Sequence, residues 1–389
     1  MECNSAGTLE PAGEGKNVKT FDHIKIGSRE IGPGRPAYVI AEIGSNHDGD
    51  IQKARDMIDV AAAAGCDAVK FQIFRGEYLC APDPVPEATE ESSAAFFADI
   101  DRHSMPWNWT GEVKAYSESK GLTFLCSAFD DAGVELLASH DVAAHKVASP
   151  ELNHLPLLRK MAQTGKPLIV STGLSKLGEI EEALETIDAA NPQCRVILMH
   201  CVSAYPTPRE EANLAVIETM RRCFGLPVGF SDHTMGALEV PVAAVKAGAC
   251  AIEKHYTMSR SLAGPDHPFA IEPEELASMV RAIRLLESRG AEVGKGIAWQ
   301  ALLGDGRKQL MPSEAPAYPH DKRSIHAIRD IRAGEPLSVE NIRILRSPGP
   351  MPAGLHARYW ELALGSMAYS EVRKGQTLQW EHLLPRNTQ

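Results

Sequence analysis

No stretch of the 389-residue chain stays apolar over the ~20 residues a membrane-spanning helix needs, and the polar N-terminus has no signal-peptide core. A bilayer is therefore not an expected partner. An excess of positive charge is missing too. The 40 Lys and Arg stand against 51 Asp and Glu, a formal charge of −11, which argues against nucleic acid while leaving room for a local basic pocket. The cysteines Cys3, Cys66, Cys80, Cys126, Cys194, Cys201, Cys223 and Cys250 contain no C-x-x-C pair. Several sit inside apolar runs and read as reduced core residues of a cytoplasmic protein. No G-x-G-x-x-G follows the first strand-like run, which weighs against a dinucleotide-binding open sheet. With 44% hydrophobic and 23% charged residues, 31 Gly and 26 Pro, the composition is that of a globular protein, not a collagen, a coiled coil or a disordered chain.

What is present is a repeat. Short apolar runs at 37–44, 68–74, 122–129, 143–149, 167–173, 195–201, 227–233 and 251–257 alternate with amphipathic stretches such as 51–64, 131–139, 176–190, 213–223, 237–247 and 273–289. Eight strand-plus-helix units in ~250 residues predict an α/β chain folded as a (β/α)8 TIM barrel. The expected organisation is a mobile tail over 1–20, the barrel over 21–293 and a Gly- and Pro-rich linker with at most one short helix over 294–320. A small β-rich domain then covers 321–389. That last segment holds ten Lys and Arg against seven Asp and Glu, a basic cap suited to docking on an acidic barrel.

Barrel enzymes carry their chemistry at the C-terminal ends of the strands. Each predicted strand ends in polar residues: Glu42, Lys70 and Gln72, Ser127, Lys146 with Ser149 and Glu151, Ser171, His200 with Ser203 and Tyr205, Ser231 with His233, and Glu253, Lys254 and His255. By the two-residue period of a strand, Lys254 or His200 can still point away from the barrel interior. Lys70 and Lys146 interrupt apolar strands, where an unpaired ammonium is costly to bury. With Ser127, Ser149, Ser171, Ser203 and Ser231 they compose a set able to bind phosphate and carboxylate. A structural Lys–Glu pair with Glu42 or Glu151 is the plainer alternative. His233 and His255, at the ends of successive strands, suit a divalent transition metal with open positions.

The segments AEIGSNHDGD (41–50), AVKFQIF (68–74), HKVASPELN (145–153), STGLSK (171–176), CVSAYPTP (201–208), GFSDHT (229–234), EKHYT (253–257) and AGPDH (263–267) resemble the sialic acid synthase family over roughly 22–385. Residues 322–385 are similar to the antifreeze-like, or SAF, domain of the same enzymes. The resemblance implies condensation of phosphoenolpyruvate with an N-acetylated hexosamine, of the N-acetylmannosamine kind, to a nine-carbon 2-keto acid. It implies that His233 and His255 hold Mn²⁺, or Mg²⁺ or Co²⁺ in its place, and that Lys70, Ser127, Lys146, Ser149, Ser171 and Ser231 hold phosphoenolpyruvate. Gln72, Glu151, Tyr205 and Asp266 then contact the amino-sugar acceptor, and Glu42 lies near the reacting centre. Arg346 matches an arginine that reaches a partner subunit's site, which implies a domain-swapped homodimer. Ser203 and Ser127 stand where some members have Asn and Thr, and both keep a hydrogen-bonding group. Glu42 and Glu151 are both candidates for proton transfer. Retention of AGPDH favours a neuraminate or legionaminate product over pseudaminate; a spore-coat sugar is a further alternative. A non-catalytic carbohydrate-binding barrel would not need the histidine pair, and a metal hydrolase would carry a denser His and Asp cluster.

Overall fold

The computed structural model describes residues 22–82, 90–289, 299–349, 351–352 and 354–383. The expected tail, 1–20, and part of the expected linker, 294–298, lie outside them.

A hairpin opens the described chain, β1 (Ile24–Ile26) against β2 (Arg29–Ile31). Eight parallel strands then form a closed barrel in chain order: β3 (Tyr38–Gly44), β4 (Ala68–Ile73), β5 (Thr123–Ala128), β6 (His145–Val147), β7 (Leu168–Ser171), β8 (Val196–Cys201), β9 (Val228–Asp232) and β10 (Ala251–His255), which closes on β3. Each apolar run of the sequence contributes one strand, and the helical stretches between them become helices such as Ile51–Ala64, Asp131–Ser139 and Pro273–Arg289. The first of these starts where the Asp50 side chain accepts from the N–H groups of Gln52 and Lys53, and stops at Gly65, whose φ of 83° suits a left-handed cap. The hairpin was not expected, because three-residue strands carry too little periodicity to register. Between β4 and β5 an insertion adds the helices Glu90–Asp101 and Thr110–Ser119.

Strand alternation sorts the barrel into two cores. Val39, Ala41, Val69, Phe71, Phe124 and Cys126 face the helices. Tyr38, Ile40, Ala68, Leu125, Ile169, Ile197, Met199 and Ala251 point inward and pack with Ile24, Ile26 and Ile31 of the hairpin, closing the N-terminal end. Gly229 is required here, since a Cβ would stand 2.6 Å from Met199 Sδ. Towards the C-terminal ends the inward positions change from apolar to charged: Glu42, Lys70, Lys146 and Glu253. Lys254 and His200 point outward. Lys254 Nζ is 2.7 Å from Asp232 Oδ2, and His200 Nε2 is 2.9 Å from the Ala212 carbonyl.

The connecting segment carries two short helices, Trp299–Leu303 and Tyr318–Asp321, where its composition implied at most one. The second domain pairs β11 (Ser324–Ala327) antiparallel with β12 (Ile342–Leu345) around its own core of Ile325, Ile331, Leu337, Ile344 and Leu378. It docks over the barrel mouth, with Arg346 bridging Cys80 in parallel register. Seven described cysteines are free thiols. Among the described residues no helix is long and apolar enough to cross a membrane.

Candidate active site

At the C-terminal end of the barrel lies a cavity of about 390 Å³. Every side chain expected in the site lines it except Glu151. Its floor is a charged network. Lys70 Nζ donates to Glu253 Oε1 at 2.7 Å and lies 3.4 Å from Glu42 Oε2. Ser231 Oγ donates to the same Glu253 oxygen at 3.0 Å, and Lys146 Nζ stands 3.6 Å from it while donating to Ser171 Oγ at 2.6 Å. Gln72 Nε2 donates to Glu42 Oε1 at 2.6 Å. Ser149 Oγ accepts from the Gly173 N–H at 2.9 Å.

Two lysines and two glutamates in one buried layer cannot all hold their usual proton affinities. Burial favours neutral Lys70, but the carboxylates of Glu253 and Glu42 outweigh it and keep it charged. Lys146 has weaker compensation, and burial lowers it to about 8. Burial likewise lifts Glu42 to about 7, against the pull of Lys70. Glu253, facing both ammonium groups, is held ionised despite burial.

Glu151 requires a correction. It is fully buried beside the cavity, and its carboxylate is taken by two guanidinium groups, Arg323 Nε at 2.5 Å and Arg346 Nη2 at 2.5 Å. Those arginines outweigh burial and keep its carboxyl below the ordinary range. So engaged, the carboxylate does not line the cavity, and it holds Arg346 at the cavity wall. That arginine comes from the second domain of the same chain and lines the cavity.

His233 and His255 stand at the wall with ring centroids 5.6 Å apart. His233 Nδ1 is 2.8 Å from the Val202 carbonyl, which orients the ring and leaves Nε2 for a ligand. Burial, aided by His233 and Lys70, holds His255 at about 3 and so neutral, against the attraction of Asp266. Tyr205 lies over His233 at 4.2 Å, and Ser45 Oγ donates to Asp266 Oδ2 at 3.1 Å. Among the described residues no group of three His, Cys, Asp or Glu closes round a metal. The pair nonetheless fits a divalent ion with open positions, because the buried His255 Nδ1 has no hydrogen-bond partner. Glu42 Oε2, Glu253 Oε2 and Arg346 Nε are buried without one as well. Such orphaned groups at a cavity are what a polar ligand would satisfy.

Glu253 was named among the strand ends but given no role, and Arg323 was not singled out from the sequence. Glu253 shares the inward face of β10 with His255, two residues on, and that period was the available signal. Nothing local marks Arg323, whose partner lies 172 residues away.

Fold and site together define a (β/α)8-barrel enzyme with a buried charged floor and a small domain closing its mouth. The sequence model of the NeuB family matches residues 57–295, and that of the SAF domain matches residues 322–384. An uncharacterized protein of Methanocaldococcus jannaschii is 39% identical over 94% of this chain and 99% of its own length. The spore coat polysaccharide biosynthesis protein SpsE of Bacillus subtilis is 37% identical over 94% of this chain and 98% of its own. The crystal structure of SpsE superposes with a TM-score of 0.81 at 36% identity, covering 94% of this chain and 100% of that one. The N,N'-diacetyllegionaminic acid synthase of Legionella pneumophila is 34% identical over 92% of this chain and 97% of its own. The chain belongs to the NeuB family and is an enzyme of the sialic acid synthase type.

Proposed function

We propose that the chain condenses phosphoenolpyruvate with the open-chain aldehyde of an N-acetylmannosamine-like N-acetylated hexosamine and water, releasing phosphate and an N-acetylneuraminate-type nonulosonate. The observation that carries this reading is the convergence of Lys70, Lys146 and the serine hydroxyls on one cavity floor. A trianionic enol phosphate is neutralised there while its C3 faces the mouth, so that positioning contributes to the rate. Carbon–carbon bond formation leaves an alkoxide on the former aldehyde, and water adds at C2 before the C2–O bond to phosphate breaks. Glu42, lifted to about 7, is suited to give its proton to the alkoxide and take one from the adding water. A Mn²⁺-type ion held by His233 and His255 would supply Lewis acidity for the alkoxide. Arg346, held by Glu151, lines the same cavity and would meet the acceptor there. We also propose that the active species is a homodimer exchanging its SAF domains.

A second reading changes only the acceptor. Two N,N'-diacetyllegionaminic acid synthases match at 34% and 33% identity, against 31% and 30% for two pseudaminic acid synthases. This supports a legionaminate-type sugar ahead of a pseudaminate-type one.

The test is phosphate release from phosphoenolpyruvate with Mn²⁺ across N-acetylated hexosamines, with and without a 6-phosphate. The expected result is acceptor-dependent release abolished by chelator and by His233→Ala. Full metal-independent turnover in His233→Ala would remove the metal from the reaction. An absence of both release and phosphoenolpyruvate binding would overturn the reading.

A further inference from the structure

The segment joining the two domains carries a carboxylate that nothing above uses. Glu314 is 0% exposed. Its Oε1 accepts from two backbone N–H groups at once, Leu174 at 2.7 Å and Ser203 at 2.8 Å, and its Oε2 accepts from Met311 N–H at 3.0 Å. Leu174 lies in the loop after β7, and Ser203 in the loop after β8. One oxygen therefore ties together the two turns that follow the strands presenting Ser171 and Cys201 to the cavity.

These turns have little slack. Leu174 holds a φ of 54°, a left-handed conformation that a branched side chain seldom adopts without support from its surroundings. At the preceding residue a Cβ would stand 2.1 Å from Ser203 Oγ and 2.9 Å from Ser149 Oγ, so the Gly173 backbone is pressed against two of the cavity's hydroxyls. A small movement of Leu174 thus displaces Ser149 and Ser203 directly. The same segment is pinned elsewhere. Lys308 Nζ is 3.5 Å from the Cys201 carbonyl, and Lys322 Nζ donates to Ser175 Oγ at 2.9 Å and pairs with Glu179 at 2.8 Å. Arg323 follows immediately and meets Glu151.

We infer that Glu314 is a positioning residue for the anion seat, its carboxylate setting the spacing of the turns after β7 and β8, so that Ser171 at the end of β7, Ser203 after β8 and Ser149, bonded to Gly173 N–H, converge on bound phosphate. The inference rests on the phosphoenolpyruvate reading for its ligand. It makes the interdomain segment part of the binding apparatus rather than a tether.

The experiment is calorimetric titration of the full-length protein with phosphoenolpyruvate, and separately with inorganic phosphate, for wild type, Glu314→Gln, Glu314→Ala and Glu211→Ala. Glu211 is the control. It lies further along the loop after β8, in the turn Arg209–Glu211, and accepts from Ser313 N–H at 3.0 Å and Ser313 Oγ at 2.7 Å, holding the same segment without bonding Leu174 or Ser203. Loss of two hydrogen bonds to a charged acceptor is expected to weaken both anions about tenfold or more in Glu314→Ala. Glu314→Gln keeps an oxygen for the two turns and is expected to fall between Ala and wild type. In turnover the loss should appear as a raised KM for phosphoenolpyruvate with kcat much less affected. Glu211→Ala should bind both anions within about twofold of wild type, whatever it does to the melting temperature. Wild-type affinity in a folded Glu314→Gln and Glu314→Ala would overturn the inference. So would an equal loss in Glu211→Ala, which would reduce the effect to segment docking. Should Glu314→Ala not fold, Glu314→Gln decides by the same criterion. If wild type binds phosphate but not phosphoenolpyruvate, the proposed substrate fails while the phosphate series still decides the role of Glu314.

Discussion

Lys70 Nζ and Glu253 Oε1 meet 2.7 Å apart beneath the cavity, so one of the floor's two ammonium groups is already paired before an anion arrives. Lys146 leans on the same oxygen from 3.6 Å. Removing the carboxylate leaves two ammonium groups in a low-dielectric layer with Glu42 as the remaining counter-charge. Glu253→Gln is expected to lower the stability of the ligand-free protein by about 3 kcal/mol, and phosphate should restore part of it. Thermal melts with and without phosphate check this. A phosphate-induced rise no larger than in wild type would count against the pairing.

Lys146 makes anion binding pH-dependent. The groups facing it are Glu253, Lys70, Cys201 and Glu42, and burial brings it down to about 8. An anion beside it favours the charged form, so binding takes up a proton once the free ammonium begins to lose its own. Above pH 8, affinity for phosphate is therefore expected to weaken, by up to about tenfold per pH unit. Lys146→Met should bind more weakly and lose that dependence. Titrations from pH 6.5 to 9.5 measure both.

Glu151 holds two arginines of the second domain, and all three groups are buried or nearly so. Glu151→Gln leaves the guanidinium groups without their counter-ion, at a cost of about 3–5 kcal/mol. The expected result is a lower midpoint in urea and easier proteolysis around residues 299–322, with phosphate affinity at the floor largely retained. If phosphate affinity fell as far as it does in Lys70→Met, Glu151 would belong to the anion seat after all.

Domain exchange has a mixing test. Lys70→Met disables a barrel and Arg346→Ala disables a SAF domain. If each SAF domain serves the other subunit, a mixed dimer of the two inactive variants regains one intact site. If each serves its own barrel, mixing recovers nothing. Turnover after co-refolding, with light scattering to establish the dimer, separates the two.

The barrel was legible because short, mainly apolar runs recur along the chain and are followed by helical spacing, both local properties. Lys70 and Lys146 were legible for the same reason, as charges where the run should be apolar. The role of Glu253 was not, because it depends on which side chains meet it across the barrel from β4 and β6. Glu151 looked like an acid–base candidate by its place at a strand end. Its true company, Arg323 and Arg346, comes from a domain whose docking no local pattern specifies. The β1–β2 hairpin escaped notice because three residues on each side show no recognisable period.

That hairpin has a consequence for traffic. By stoppering the barrel's far end with Ile24, Ile26 and Ile31, it leaves the mouth beneath the SAF domain as the route to the charged floor. Whatever occupies the floor must enter before anything fills the mouth, and must leave after the mouth has cleared. The dead end thereby imposes a queue, in which a ligand seated on the floor would be first in and last out.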